Sequence, residues 1–270
     1  MGVGGDVVTD PTWQTADGSV KLFLGDCLDV LPAIEGVDCT VTSPPYNQRL
    51  DSFKASGFKA GENATWAERA SSSYFDSMNE PEYQEQQREV LTLLYQCTSL
   101  GGSLFYNHKC RWRDKVLLHP LEIVLPTEWS IRQEIIWARN GSLTQNAKMF
   151  PPSEERIFWM FKGHWRWNAE SNRFMSVWRI NSENHTAHPV AYPIEIPLRC
   201  IEATTSPGDV VLDCFMGSAT TGAAAVRTGR KFVGVEREPK YFDIAVKRIE
   251  AELNRAPLFD EPAVVQKELL

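Results

Sequence analysis

The stretch from residue 209 to residue 253 constrains the fold of this chain most strongly. Two short apolar strands, Asp209 to Asp213 (DVVLD) and Lys231 to Glu236 (KFVGVE), each end in a carboxylate. The turn CFMGSATT and a helix from Gly222 to Thr228 connect them, and a second helix, Lys240 to Leu253, follows. Strand, helix and strand of these lengths form a βαβ unit, which requires a parallel sheet with covering helices. The sequence therefore predicts an α/β fold.

The turn after the first strand indicates a ligand site. Asp213 is followed by Phe215, Gly217 and Ser218, which bring backbone amides close to a small ligand, and Glu236 has the position of a carboxylate that binds ribose hydroxyls. Neither a GxGxxG fingerprint nor a GK[ST] phosphate loop is present. The pattern favours a nucleoside without phosphates; an ordinary βα turn is the alternative.

A second unusual stretch, VTSPPYN, follows a predicted strand at Val37 to Thr42. Because proline fixes its own φ and restricts the preceding residue, the Ser43 hydroxyl, the Pro44 carbonyl and the Tyr46 ring are held at fixed relative positions. A stacking surface beside two acceptors suits a planar heterocycle with an exocyclic amino group. The alternative is a proline-rich turn closed by a packed tyrosine.

The rest of the chain adds strands and helices to the same sheet. Asp26 follows the first strand at its ligand edge, although an aspartate there is also an ordinary helix N-cap. We predict strands at 20–24, 103–107, 131–138 and 155–161, the last two an antiparallel pair at a sheet edge, and helices at 28–34, 80–100, 114–125 and 193–205.

Two segments have little periodicity, 47–79 and 139–180, and are predicted to be a lid or to contact DNA within a single domain. The second lies in a stretch rich in Lys, Arg and Trp, a composition that a strand-rich core with a solvated surface also explains. A flexible tail is predicted from about residue 255. The candidate DNA contacts are Arg49, Lys54, Lys59, Arg139, Lys148 and Arg166.

Composition bounds the class of protein. The 270 residues are 43% hydrophobic with a net charge of −7, and no apolar run approaches the roughly 20 residues of a membrane span, so we expect a cytoplasmic protein without a membrane partner. The six cysteines show no metal-ligand spacing and are predicted to be reduced thiols. His185 and His188 (HTAHP) lack a nearby Cys or carboxylate partner, so no metal site is expected.

Together these motifs resemble the β group of S-adenosylmethionine-dependent DNA amino-methyltransferases. TSPPY at 42–46 resembles the family's catalytic [DNS]PP[YFW] motif, and DCFMGSATT at 213–221 resembles its cofactor motif D-x-F-x-G-S-G-T-T. Weaker support comes from LGDCLDVL at 24–31, EIIWARNG at 134–141 and VWRI at 177–180. The catalytic motif comes first, as in the circularly permuted β arrangement, and Ala219 stands where the family usually has Gly.

The resemblance implies a Rossmann-like methyltransferase fold, with a mostly parallel seven-stranded sheet and an antiparallel edge strand. It also implies the site: the catalytic stretch is Ser43, Pro44, Pro45 and Tyr46, and the cofactor residues are Asp26, Cys27, Asp213, Phe215, Gly217, Ser218, Thr220 and Glu236. S-adenosylmethionine would donate its methyl group to an amino group of a base flipped out of double-stranded DNA.

Several finer points stay open at this level. Serine at the first motif position resembles enzymes that methylate cytosine N4, with adenine N6 as the alternative. An RNA or protein-amide methyltransferase and a non-catalytic DNA-binding protein of the same fold are further alternatives. A restriction endonuclease partner, and a monomer or homodimer, are compatible with the sequence.

Overall fold

The computed structural model describes residues 7–47, 78–139, 149–181 and 192–255. Its main feature is a nine-stranded sheet of order β1-β2-β11-β10-β3-β4-β8-β7-β9, beside a separate hairpin of β5 and β6. The strands are β1 (Trp13–Gln14), β2 (Val20–Leu24), β3 (Val37–Thr42), β4 (Thr98–His108), β5 (Arg111–Arg113), β6 (Val116–Leu118), β7 (Ser130–Ala138), β8 (Glu154–Phe161), β9 (Val177–Arg179), β10 (Val210–Asp213) and β11 (Lys231–Glu236).

Five neighbouring strands, β2, β11, β10, β3 and β4, run parallel. Their carboxyl ends therefore lie along one side of the sheet, here called the ligand edge. Pairing of Val211 with Cys39 and of Leu212 with Thr40 places β10 directly beside β3. The two sequence motifs, 171 residues apart at Thr42 and Asp213, thus meet at this edge.

Helices cover both faces of the sheet and bury two apolar clusters. One cluster contains Val41, Phe105 and Val211 together with helix residues such as Ile201, and the other contains Leu104 and Leu212 with further helix residues. Alternate residues of the central strands thus face opposite clusters, as expected for a sheet buried on both sides. The helices are α1 (Cys27–Val30, continued by a 3-10 turn at Leu31–Ala33), α2 (Glu80–Cys97), α3 (Leu121–Val124), α4 (Glu195–Thr204), α5 (Thr220–Arg227) and α6 (Pro239–Leu253), with a 3-10 turn at Ala169–Arg173.

The predicted α/β class and mostly parallel sheet are confirmed, but the described residues form nine strands of this sheet instead of the predicted seven. Two short strands, β1 and β9, extend the predicted sheet at its two ends. β1 is the predicted antiparallel edge strand, whereas β8, which is also reversed, lies inside the sheet between β4 and β7 and is antiparallel to both. The segment 139–180 is therefore not simply an insertion, since it contributes β8 and β9.

The helix predicted around 114–125, interrupted or started by Pro120, was wrong for the residues before Pro120. Arg111–Arg113 and Val116–Leu118 pair as an antiparallel hairpin whose two turn residues, Asp114 and Lys115, have φ values of 49° and 69°. Positive φ at both turn residues matches the right-handed twist of a two-stranded ribbon. Only the short helix Leu121–Val124 forms in this stretch, immediately after Pro120.

The long helix predicted to reach residue 100 ends at Cys97, and β4 begins at once with Thr98. Gly101 lies inside β4 with φ +88°, where its hydrogen faces the His164 ring. This glycine therefore allows close approach within a strand instead of ending a helix. Among the described residues, no helix is long and apolar enough to cross a membrane.

Candidate active site at the ligand edge

The proline-rich stretch leaves β3 at the ligand edge, as its sequence predicted. Thr42 is the last, fully buried residue of the strand, and Ser43 and Tyr46 are partly exposed beyond it. The Ser43 and Tyr46 hydroxyl oxygens lie 2.6 Å apart. The turn therefore folds back on itself and places both hydroxyl groups at one point.

Two residues from neighbouring strands complete this point. The Tyr46 hydroxyl donates to Glu155 Oε2 at 2.9 Å. Asn107 Nδ2 lies 2.8 Å from Tyr46 Oη and 2.9 Å from the same carboxylate oxygen. Arg139 Nη1 is 3.4 Å from the other oxygen, Glu155 Oε1. We call Ser43, Tyr46, Asn107 and Glu155 the hydroxyl cluster.

A second set of hydrogen bonds holds the turn from below. The Tyr83 hydroxyl donates to the Pro45 carbonyl at 2.6 Å and lies 2.8 Å from His108 Nε2. Because Tyr83 gives its only hydrogen to the Pro45 carbonyl, His108 Nε2 donates to Tyr83, and Nδ1 accepts from the Lys109 amide. Burial lowers the pKa of His108 to about 3, which keeps this ring neutral. The Pro44 carbonyl stays outside this set of bonds.

The Tyr46 ring is positioned by the last residue of β4, His108, and by Lys109, which follows it. The His108 ring is tilted by 39° against it at a centroid distance of 4.8 Å, and the Lys109 ammonium lies 5.1 Å from its centroid. Burial raises the pKa of the Tyr46 hydroxyl well above its usual value, so it stays protonated. Lys109 thus brings positive charge next to the proposed stacking ring.

Asp213, at the end of β10, is buried and fully occupied by the protein itself. Oδ1 accepts from the Thr42 hydroxyl at 2.7 Å and from the Phe215 amide at 3.1 Å. Oδ2 accepts from Thr221 at 2.7 Å and from Tyr192 at 3.2 Å. The side chain is only 1% exposed, and burial raises its pKa despite these donors. Asp213 therefore joins the two motifs instead of presenting its carboxylate to solvent.

Glu236 closes the turn that follows Asp213. Its carboxylate accepts from the Gly217 amide at 2.9 Å and from the Glu238 amide at 2.8 Å, while burial raises its pKa. Each oxygen keeps room for another donor, because a carboxylate oxygen accepts more than one hydrogen bond. Ser218 Oγ, in the same turn, is buried and has no partner among the described residues. These groups leave polar capacity for a ligand.

Two further residues of the turn have structural positions. Ala219 caps α5 in the left-handed conformation, with φ 58° and ψ 46°, where a non-glycine residue costs roughly 1 to 2 kcal/mol. The family's usual glycine would avoid this strain. The Thr220 hydroxyl accepts from Arg248 Nη1 at 2.8 Å and so connects α5 to α6.

Strand β2 places Asp26 and Cys27 at the same edge. Asp26 is the N-cap of α1 and accepts from the Leu28 amide at 3.0 Å, so its alternative structural role is observed. Its second oxygen lies 3.8 Å from the half-exposed Arg237 guanidinium. Cys27 is buried.

The candidate DNA contacts fall into three groups. Arg49, Lys54, Lys59 and Lys148 lie outside the described residues. Arg139 reaches the ligand edge and pairs with Glu155. Arg166 instead pairs with Asp38 and Asp209 and donates to the Thr204 carbonyl at 3.1 Å.

The position of Arg166 argues against its predicted DNA contact. Asp38 is at the beginning of β3 and Asp209 immediately precedes β10, so Arg166 lies at the amino ends of these strands. A strand of about five residues spans roughly 17 Å. That distance separates Arg166 from the ligand edge, and its partners give it a structural role.

Sequence reasoning missed Asn107 and Glu155. Asn107 near the carboxyl end of a predicted strand was a detectable signal, because such ends line the ligand edge of a parallel sheet. Glu155 was not detectable, because it stands at the beginning of its strand. Only the antiparallel direction of β8 and its pairing with Trp137 bring it to this edge.

Comparison with known proteins agrees with this geometry. A family model described as DNA methylase matches residues 37–247. The Type II methyltransferase M.BglII of Bacillus subtilis is 28% identical over 86% of this chain and 69% of its own length, and M.ScaI of Streptomyces caespitosus is 26% identical over 90% and 84%. M.Cfr9I of Citrobacter freundii is 35% identical over 46% of each chain, so the match spans about half of that relative.

Solved structures show the same fold. The PvuII DNA methyltransferase, titled cytosine-N4-specific, superposes with a TM-score of 0.71 and 17% identity over 93% of this chain and 96% of its own. The putative DNA modification methylase TTHA0409 of Thermus thermophilus, in complex with S-adenosyl-L-methionine, gives 0.60 and 23% over 86% and 94%. With a family model that covers most of its length, the chain belongs to the N6/N4 DNA methylase family, which confirms the enzyme class predicted from its motifs.

Proposed function

We propose that this chain transfers the methyl group of S-adenosylmethionine to the N4 amino group of a cytosine flipped out of duplex DNA. The observation that carries the proposal is the 2.7 Å hydrogen bond between Thr42 and Asp213. It fixes the end of β3, which leads into the proline-rich stretch from Ser43 to Tyr46 (called the shelf below), against the end of β10, which leads into the predicted cofactor turn. A methyl donor and an amino acceptor bound to these two features would lie side by side.

The residues of the cofactor turn fit such a ligand. Ser218 offers a buried hydroxyl without a partner among the described residues, and Glu236 offers unused acceptor capacity. Phe215 and Gly217 would line the methionine end of the cofactor, and Asp26 and Cys27 would lie at its adenine end. The bound cofactor supplies an electrophilic methyl group. Asp213 acts on this site through Thr42 and the Phe215 amide instead of touching the ligand.

The shelf supplies what an amino group needs in order to react. The Tyr46 ring would stack on the flipped base, a contact of roughly 1 to 3 kcal/mol. Ser43 Oγ and the Pro44 carbonyl would accept the two amino hydrogens. Because an aromatic amine must localise its lone pair to attack, fixed acceptors on both hydrogens favour the reacting form. Serine at the first motif position supports cytosine over adenine.

The β5–β6 hairpin is a proposed DNA contact beside the shelf. Arg113 donates to the Asn47 carbonyl, which is one residue beyond Tyr46, and Arg111 binds Glu80 at 2.7 Å. On the other face of the hairpin, Trp112 and Leu117 are paired and exposed by 39% and 47%. Apolar side chains beside a flipped base can fill or open the base stack.

Two other predicted points stay proposals. Arg49, Lys54 and Lys148 are proposed to contact the DNA backbone, because both segments that carry them join elements at the ligand edge. A restriction endonuclease that cuts the same sequence is a proposed functional partner, supported by the relatives named as Type II methyltransferases.

Transfer of a labelled methyl group tests the proposal. Purified protein is incubated with radiolabelled S-adenosylmethionine in three separate reactions, which contain duplex DNA, RNA or a protein mixture. We expect label only in DNA, and N4-methylcytosine after digestion to nucleosides and mass spectrometry. N6-methyladenine would correct the base, label in RNA or protein would correct the substrate, and no label in any arm would refute the function.

A further inference from the structure

Glu155 is a buried carboxylate to which the family motifs assign no role. It is 6% exposed, and its contacts to Tyr46, Asn107 and Arg139 all come from hydrogen-bond donors. Hydrogen bonds from these donors to the carboxylate are charge-assisted and hold its orientation strongly. The proline-rich turn is therefore in direct contact with a fixed negative charge that its own sequence does not contain.

The carboxylate sets the direction of the hydrogen bonds around it. Tyrosine has one hydroxyl hydrogen, and Tyr46 gives it to Glu155 Oε2. The hydrogen of the 2.6 Å contact between Tyr46 and Ser43 must then come from Ser43. The chain of donors thus runs from Ser43 to Tyr46 to Glu155.

This direction determines what Ser43 offers a substrate. A serine hydroxyl has one hydrogen and two acceptor lone pairs. With its hydrogen committed to Tyr46, Ser43 Oγ can only accept from an incoming group, and the Asn107 amide at 3.4 Å uses at most one of its two lone pairs. An amino group, which carries hydrogens to donate, fits this arrangement, whereas a carbonyl oxygen does not.

We propose that Glu155 is the terminal acceptor of a Ser43–Tyr46–Glu155 proton relay that orients Ser43 towards the target amine and takes up the proton lost on methylation. The inference rests on the proposed function. Asn107 is a positioning residue in this relay, because its amide holds both Tyr46 Oη and Glu155 Oε2.

The relay balances the reaction. The amine nitrogen forms a bond to the methyl carbon as the carbon–sulfur bond breaks, and that electron pair stays on sulfur. The methylated amine, now cationic, gives one proton to Ser43 Oγ. Ser43 passes its own proton to Tyr46, and Tyr46 passes its proton to the Glu155 carboxylate, which becomes neutral. Tyr46 never has to exist as a free phenolate.

Single-turnover methylation of duplex DNA at saturating cofactor tests the relay with four proteins and one control variant. These are the wild type, Glu155→Gln, Tyr46→Phe and the double variant. Tyr46→Phe keeps the stacking ring and removes only the hydroxyl. Glu154→Gln is the matched control, because it changes the neighbouring carboxylate of the same strand, which lies outside the hydroxyl cluster.

We expect Glu155→Gln and Tyr46→Phe each to lower the methyl-transfer rate by about 10- to 100-fold, the range of a lost preorganised polar group. The double variant should be no slower than the slower single variant, because both substitutions break one chain. Cofactor and DNA dissociation constants should stay within about twofold, and Glu154→Gln should match the wild type.

Three results would overturn the relay: a wild-type rate for Glu155→Gln, a wild-type rate for Tyr46→Phe, or multiplication of the two effects in the double variant. If Glu155→Gln does not fold, the Tyr46→Phe rate still decides the question. A wild-type protein that transfers no methyl group to DNA would refute the proposed function instead, so the two failures are distinguishable.

Discussion

Replacement of Asp213 by alanine should destabilise the protein, because the carboxylate is the common acceptor of four donors. Two of them have other acceptors nearby: Thr221 lies 3.3 Å from the Val41 carbonyl, and Tyr192 can donate to Thr221. The Phe215 amide and the Thr42 hydroxyl lose their oxygen partner, although Thr42 keeps a 3.7 Å contact with a cysteine sulfur.

The magnitude follows from these two groups. A buried donor left without a partner costs about 1 to 3 kcal/mol, so the loss of two such partners in Asp213→Ala should lower the free energy of unfolding by about 2 to 6 kcal/mol. Asp213→Asn should cost less than about 1 kcal/mol, because its oxygen can serve Thr42 and Phe215 while its amide donates to the two remaining hydroxyls. The loss expected for Asp213→Ala is a large fraction of the free energy of unfolding of an ordinary domain.

Equilibrium unfolding in urea at pH 7, without cofactor, measures both variants. Asp243→Ala is the control, because Asp243 lies on the exposed face of α6. It should unfold within about 0.5 kcal/mol of the wild type. If Asp213→Ala were as stable as this control, the carboxylate would not hold the two motifs together, and its role would have to be direct contact with the ligand.

Burial raises the pKa of both Asp213 and Glu236, so above about pH 4 the folded state binds more protons than the unfolded state. The free energy of unfolding should therefore fall as the pH rises from 4 to 7. Urea titrations repeated over this pH range should show a smaller fall in Asp213→Asn than in the wild type. Tyr83→Phe removes the donor to the Pro45 carbonyl and should slow methyl transfer about 3- to 30-fold in single-turnover assays. The cofactor affinity measured by calorimetry should stay unchanged. An unchanged transfer rate would mean that the prolines alone fix the turn. Arg166→Gln should lower the free energy of unfolding by about 1 kcal/mol but leave the salt dependence of DNA binding unchanged. A shallower decrease of DNA affinity with salt concentration would show that Arg166 does contact DNA.

The sequence by itself determined the features that depend only on residues adjacent to each other along the chain. A strand that runs into two prolines places Ser43 and Tyr46 at its end in any fold, and the βαβ pattern places Asp213 and Glu236 at the ends of parallel strands. Parallel strands share one ligand edge, so the meeting of the two motifs was also predictable. Residue position along a strand carried all of this information.

Tertiary structure alone decided what those side chains touch. Glu155 reaches the hydroxyl cluster because β8 runs opposite to its neighbours, and strand direction is set by long-range pairing. Arg166 binds at the far edge because its carboxylate partners stand at the amino ends of their strands, Asp38 at the beginning of β3 and Asp209 just before β10. Asp213 has a predictable position, but its four donors come from three other segments of the chain as well as its own turn. Local pattern fixes where a residue lies on its element, whereas burial and partners depend on how the elements pack.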